Sequence, residues 1–233
     1  MISTIRHDGS VPRDLAERVK RPVIVRVTEF DDDAVEKFTD DVNAAHETGQ
    51  DVLPILINSY GGEAYSLMSM IATLDAVRLP VATIVEGKAM SCGAILFALG
   101  AQRYMAPHAT LMFHDIAQTS YDDKKIADVR ADADELQRLQ DTLFARMAKH
   151  VGKPRSYFNT LLDQNKHADV YMTAQQAKLE KIATHIAVPS FQTTIIVAHR
   201  FGVDGSSKGA VSSQRQTPKL IHTPAARRST RAH

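Results

Sequence analysis

The 233-residue chain is 44% hydrophobic and 24% charged with a formal charge of +1, which gives it one substantial core and excludes a chain-wide electrostatic attraction to nucleic acid or membrane. Its one cysteine, Cys92, excludes an internal disulfide and a cysteine-based metal cluster and fits a reducing compartment. No apolar run approaches the ~20 residues of a membrane span, and the first residues hold no uninterrupted apolar stretch fit for a signal-peptide core, so the expectation is a cytoplasmic protein with no membrane contact.

Residues 1–21 are polar and broken by Gly9 and Pro12, and read as a loose lead-in to a domain over 22–203. VIVRV at 23–27 is a β-branched strand. Asp31, Asp32 and Asp33 suit the first turn of a helix that runs on to Glu47 and stops at Gly49. DVLPILIN at 51–58 is a second strand, and NSYGGEA turns through a glycine pair into a helix with Leu67, Met70, Ile71, Leu74 and Val77 on one face. Pro80 ends that helix. VATIVE at 81–86 is a third strand, GKAMS leads out of it, and CGAILFALG is a short helix so apolar that protein must surround it.

RYMA and TLMFH are two further short strands. The segment 122–150 is a long charged helix with an apolar stripe through Ile126, Val129, Ala133, Leu136, Leu143 and Met147, closed by Gly152 and Pro154. A helix over about 154–163 and another starting near Thr173 follow. From Ser206 onward the charged residues are Lys208, Arg215, Lys219, Arg227, Arg228 and Arg231, without Asp or Glu, so 204–233 reads as a basic, disordered tail. Its scattered charges have no interleaved aromatics, which argues against nucleic acid as a partner.

Strand and helix alternate, and the glycine turns fall at the carboxyl ends of strands, where open α/β folds place their sites. Four residue types with catalytic potential, serine, histidine, aspartate and cysteine, meet this pattern. Ser91 stands at a strand-to-helix junction among Ala89, Gly93 and Ala94; it reads as a nucleophile served by the N–H of Cys92, or as a helix N-cap. Gly61 or Gly62 supplies a second N–H donor for an oxyanion. His114 ends the strand TLMFH and is a general base or a strand-end histidine. Asp115 is its neighbour, but adjacent strand residues point to opposite faces, so it orients His114 only if the strand stops there; Asp169 in HADVYMTAQQA is the better orienting acid, or else a turn aspartate. Cys92 competes as nucleophile, or packs as a small hydrophobe.

ILINSYGGEAYSLMSMI, ATIVEGKAMSCGAILFALGA, RYMAPHATLMFHD and HADVYMTAQQA resemble, in order and spacing, the proteolytic subunit of the ATP-dependent Clp protease over about residues 22–187. The resemblance implies a Clp/crotonase-type fold of repeated β-β-α units with 122–150 as a protruding handle. It places the nucleophile on Ser91, the base on His114, the acid on Asp169 and the oxyanion donors on the backbone of Gly61 or Gly62 and of Cys92. It further implies heptameric rings, extended polypeptide substrates and no cofactor or metal.

The departures from the family sit at defined places. Tyr60 stands where proline is usual, Asp115 and Ile116 where Gln-Pro is usual, and Lys181, Ile182, Ala183 and Thr184 where Gly-Leu-Val-Asp is usual. The aromatic positions of the ATPase docking pocket fall on Pro54, Leu56 and Ala76, so a standard Clp ATPase is not expected to dock. Beside the active peptidase stand two alternatives, a catalytically weak ring subunit and a crotonase-type acyl-CoA enzyme, which has no need of a serine beside a histidine.

Overall fold

The computed structural model describes residues 3–6, 21–118 and 123–194. The tail expected over 204–233 lies outside them, as does most of the lead-in. Residues 3–6 nevertheless form a strand, β1 (Ser3–Arg6), so the lead-in is not wholly loose.

β2 (Val25–Val27) precedes α1 (Asp32–Glu47), which starts at Asp31, whose carboxylate accepts the Ala34 N–H at 2.8 Å. Asp32 and Asp33 sit in its first turn, where the macrodipole favours them. β3 (Leu53–Ser59) and α2 (Ala64–Ala76) follow, the helix burying Leu67, Met70 and Ile71. β4 (Val81–Met90) leads into α3 (Cys92–Ala98), all seven residues of which are buried, as so apolar a helix requires. β5 (Gln102–Met105), β6 (Thr110–Phe113) and α4 (Ile126–His150) come next, then α5 (Tyr157–Gln164), β7 (Val170–Thr173), α6 (Ala174–Leu179), β8 (His185–Ile186) and β9 (Phe191–Thr194). β1 and β9 pair in parallel as a separate two-stranded sheet.

The main sheet runs β2-β3-β4-β5-β8, all parallel, and β6 joins β4 on the same side as β5. β4 is longer than its apolar stretch indicates, because GKAM continues the strand. Its register against β3 passes from Ile57↔Val85 to Ser59↔Ala89, so β4 bulges at Glu86 and Gly87. Its first half, Ala82 to Val85, pairs with β5, and its second, Lys88 to Met90, with β6. The bulge therefore hands the strand from one neighbour to the next and delivers Ser91 at the end of β6. β7 closes this edge antiparallel to β6, with Phe113 opposite Val170.

α4 begins at Ile126, with the Lys125 N–H donating to Asp128 at 3.3 Å, rather than at the expected residue 122, which lies outside the described residues. Its stripe divides. Leu139, Leu143, Phe144, Met147 and Ala148 are buried, whereas Ile126 and Val129 are 74% and 53% exposed. Phe158 of α5 stacks between Phe144 and Phe113, at 5.9 and 5.3 Å, and so anchors the end of β6 to α4. The Lys181–Thr184 departure is accommodated by Arg103. This buried side chain donates to the carbonyls of Ile182, Gly100 and Lys181, at 2.6, 2.8 and 3.1 Å, while Lys181 turns the chain at φ 61°.

Candidate active site

Ser91 holds the N-cap position of α3, yet its hydroxyl makes no capping bond. The backbone there, φ 53° and ψ −121°, is a conformation that glycine adopts freely and serine does not. Three backbone contacts hold it. The Ser91 N–H donates to the Met112 carbonyl of β6 at 2.9 Å, and the Ser91 carbonyl accepts from Ala94 and Ile95 at 2.9 and 3.2 Å. Gly61, at φ 110°, lies so close that a Cβ on it would sit 2.7 Å from the Ser91 Cβ. Only glycine permits this approach.

The two glycines play different parts. The Gly61 N–H donates to the Ser59 hydroxyl at 3.0 Å and is occupied. The Gly62 N–H and the Cys92 N–H, the latter in the first turn of α3, lie beside the Cys92 sulfur, and neither is bonded to a backbone carbonyl among the described residues. Gly62 is pinned beneath Phe30, whose carbonyl would lie 2.6 Å from an added Cβ. The Cys92 thiol donates to the Gly62 carbonyl at 3.2 Å, and burial pushes it up to about 11. Burial and this bond keep it a protonated, packed thiol.

His114 follows Phe113, the last residue of β6, and Asp169 precedes Val170, the first of β7. Phe113 and Val170 are the last partners of this antiparallel pair, so His114 and Asp169 both stand just beyond its end. The sequence does not signal β7, the strand that pairs with β6 beside both positions. Among the described residues no hydrogen bond joins Ser91 to His114 or His114 to Asp169. The Asp169 carboxylate instead meets the Tyr171 hydroxyl at 3.5 Å, a weak contact. Asp115 is taken elsewhere: its two oxygens engage Gln140 at 2.9 Å and His167 at 2.8 Å.

Ser91 and His114 open onto one cavity of about 650 Å³. Ile95, Phe113, Leu139 and Leu143 make its apolar floor, and Glu63, Asp132 and Glu135 stand at its rim. Tyr65 of α2 donates to Glu135 of α4 at 2.6 Å, and Arg138 forks onto both Glu135 oxygens. These bonds, Arg138 first, hold the Glu135 carboxyl down at about 2. Asp132 pairs with Lys124. The sequence offered no sign of the Tyr65–Glu135 link, since its partners are 70 positions apart. Among the described residues no group of three or more His, Cys, Asp or Glu is placed to hold a metal ion, and no helix is long and apolar enough to cross a membrane.

The same segments carry the likeness to known proteins. The chain is 31% identical over 128 residues to the ATP-dependent Clp protease proteolytic subunit 1 of Rhodococcus jostii, which covers 54% of this chain and 56% of that protein. It is 30% identical over 128 residues to the proteolytic subunit 3 of Nocardia farcinica, with the same coverage. The chain thus matches little more than half the length of these curated relatives. The Clp protease family model matches residues 9–189, a span that takes in the β3–α2 glycine turn, the β4–α3 junction and the paired strands β6 and β7. By that match, and by the mostly parallel sheet and six helices among the described residues, the chain belongs to the Clp protease family and has its fold.

Proposed function

We propose that the chain is a serine endopeptidase that hydrolyses extended or unfolded polypeptide, with Ser91 as nucleophile, His114 as general base and Asp169 as the acid that orients it. Family membership supports the reaction class, and the geometry at Ser91 is the observation that carries the assignment. Its hydroxyl is released from capping, raised on a strained backbone and set in the same cavity as His114, with the N–H groups of Cys92 and Gly62 free of backbone carbonyls beside it.

In this reading His114 accepts the Ser91 proton as Oγ attacks the scissile carbonyl. The oxyanion is held by the N–H groups of Cys92 and Gly62, with Gly61 excluded because Ser59 occupies it. His114 then protonates the leaving amine, and water hydrolyses the acyl-enzyme by the reverse sequence. Asp169 keeps the histidine in the required tautomer once the two are hydrogen-bonded. The apolar floor of the cavity takes a hydrophobic side chain of the substrate.

The bare first half of α4, with Ile126 and Val129 exposed, supports assembly with further copies into a ring. Pro54 and Leu56 are buried in β3, which supports the view that a standard Clp ATPase finds no docking pocket there. A catalytically weak ring subunit is the second reading, favoured by the missing His114–Asp169 bond.

A fluorophosphonate probe tests the assignment. Labelling maps to Ser91, disappears with peptide cleavage in Ser91→Ala, and persists in Cys92→Ala. The opposite pattern overturns it, and no labelling of a folded, assembled protein favours the weak subunit.

A further inference from the structure

Asp115 follows His114 and stands where the strand pairing has run out, since β6 ends at Phe113 and no ladder hydrogen bond fixes the backbone beyond it. Side chains take over at that point. Gln140 of α4 donates from Nε2 to Asp115 Oδ1 at 2.9 Å and accepts the Ile116 N–H on Oε1 at 2.8 Å, so one amide grips two successive residues after the histidine. The other carboxylate oxygen, Oδ2, meets His167 Nδ1 at 2.8 Å, two residues ahead of Asp169.

The turn that His167 belongs to is closely held. Lys166 and His167 both adopt left-handed backbone, at φ 54° and 59°, and the His167 N–H donates to the Leu162 carbonyl at 2.9 Å. Asn165 donates to the carbonyls of Ala168 and Asp169 at 3.0 and 3.2 Å. His167 Nε2 also faces Asp163 at 3.4 Å. Asp115 therefore joins three pieces: the end of the histidine strand, the buried part of α4 and the turn that presents Asp169.

We propose that Asp115 is a positioning residue, which together with Gln140 and His167 sets the separation of His114 from Asp169. The proposal rests on the triad reading above. Asp115 does not act on the His114 ring, because both of its oxygens are engaged, one by Gln140 and the other by His167. Its action is on the backbone, through a two-pronged amide clamp and a partly exposed ion pair. A pair that exposed adds little to stability, so its loss is read in turnover rather than in melting. A misplacement of about 1 Å in a catalytic array costs on the order of 100-fold.

The test measures kcat and KM for a short peptide, the fluorophosphonate labelling rate and Tm on the assembled full chain. Asp115→Ala lowers kcat and labelling by about 10- to 100-fold with KM and Tm close to the parent. Asp115→Asn, which still accepts from Gln140, recovers part of the loss. The pair Asp115→Ala with Gln140→Ala is no worse than the poorer single variant, because both break one clamp. Parent-like kcat in both single variants, or losses that multiply, overturns the proposal. If Asp115→Ala does not fold, Gln140→Met, which keeps side-chain length and removes both bonds, decides by the same readouts. Ser91→Ala separates the two levels: an active Ser91→Ala sinks the triad reading itself, whereas an inert Ser91→Ala beside a fully active Asp115→Ala sinks only the role given to Asp115.

Discussion

Around Ser91 the holding is done by backbone and glycine: its N–H is bonded to Met112, its carbonyl closes the first turn of α3, and Gly61 is pressed against its Cβ. Around Asp169 the holding is done by side chains, with Asn165 and His167 organising the turn and Tyr171 the nearest donor to the carboxylate. Backbone bonds survive most substitutions of the residues that make them, and side-chain bonds do not. The proposed nucleophile is thus fixed within the chain's own backbone, while the proposed pairing of acid and base depends on contacts that a single substitution or a neighbouring copy can shift.

The largest expected effect is on the acid side. Asp169→Asn lowers kcat on the order of 10⁴, the scale seen when a triad histidine loses its orienting carboxylate, and Asp115→Asn is milder. Equal, small losses in both would instead indicate a dyad and would erase the contrast. Next comes the backbone side at the one point where a side chain can enter it. Gly61→Ala drives a methyl into Ser91 and forces alanine to φ 110°, so activity falls on the order of 100-fold and stability by about 1–3 kcal/mol in chemical denaturation. Gly49→Ala, at φ 76° with open space around it, is the control, with a strain cost of about 1 kcal/mol and unchanged activity.

A third test concerns assembly. Ile126→Asp with Val129→Asp places charge on the bare half of α4, and light scattering is expected to show smaller particles with the monomer Tm unchanged. Parent-sized particles would show that this face is not an interface. The smallest effect is at Cys92. Cys92→Ala retains most of the peptide cleavage, and iodoacetamide leaves the native thiol unmodified at neutral pH. Because burial raises this thiol from 9.0 to about 11, the folded state holds its proton more tightly than the unfolded chain. Its contribution is complete below pH 9 and is lost as pH rises toward 11, by up to about 3 kcal/mol relative to Cys92→Ala. Equal alkaline stability in the two proteins would contradict the buried placement.

The sequence made the local devices legible. The aspartate cluster at the start of α1, the wholly apolar α3 and the glycine pair ahead of α2 each announce themselves within a few residues, because the physics is local. β4 was read too short because Glu86, Gly87 and Lys88 look like a turn, whereas they form a bulge whose pairing comes from two other strands. VYMT passed as an apolar pair, since four residues give alternation too little length to stand out. Asp115 was visible as a carboxylate beside a histidine, but its partners lie 25 and 52 positions away, and no periodicity encodes a tertiary hydrogen bond.

The torsion angles at Ser91 bear on how such a chain drifts under mutation. At φ 53° and ψ −121° any residue but glycine carries a cost of about 1–3 kcal/mol, a noticeable share of the 5–15 kcal/mol that keeps a domain folded. Ser91→Gly removes that cost in one codon change and removes the hydroxyl with it. Selection that rewards thermal survival alone therefore pulls this position toward an inert protein, and only continued demand for cleavage opposes the pull. Libraries of this protein screened for heat resistance without an activity gate are expected to accumulate glycine at residue 91.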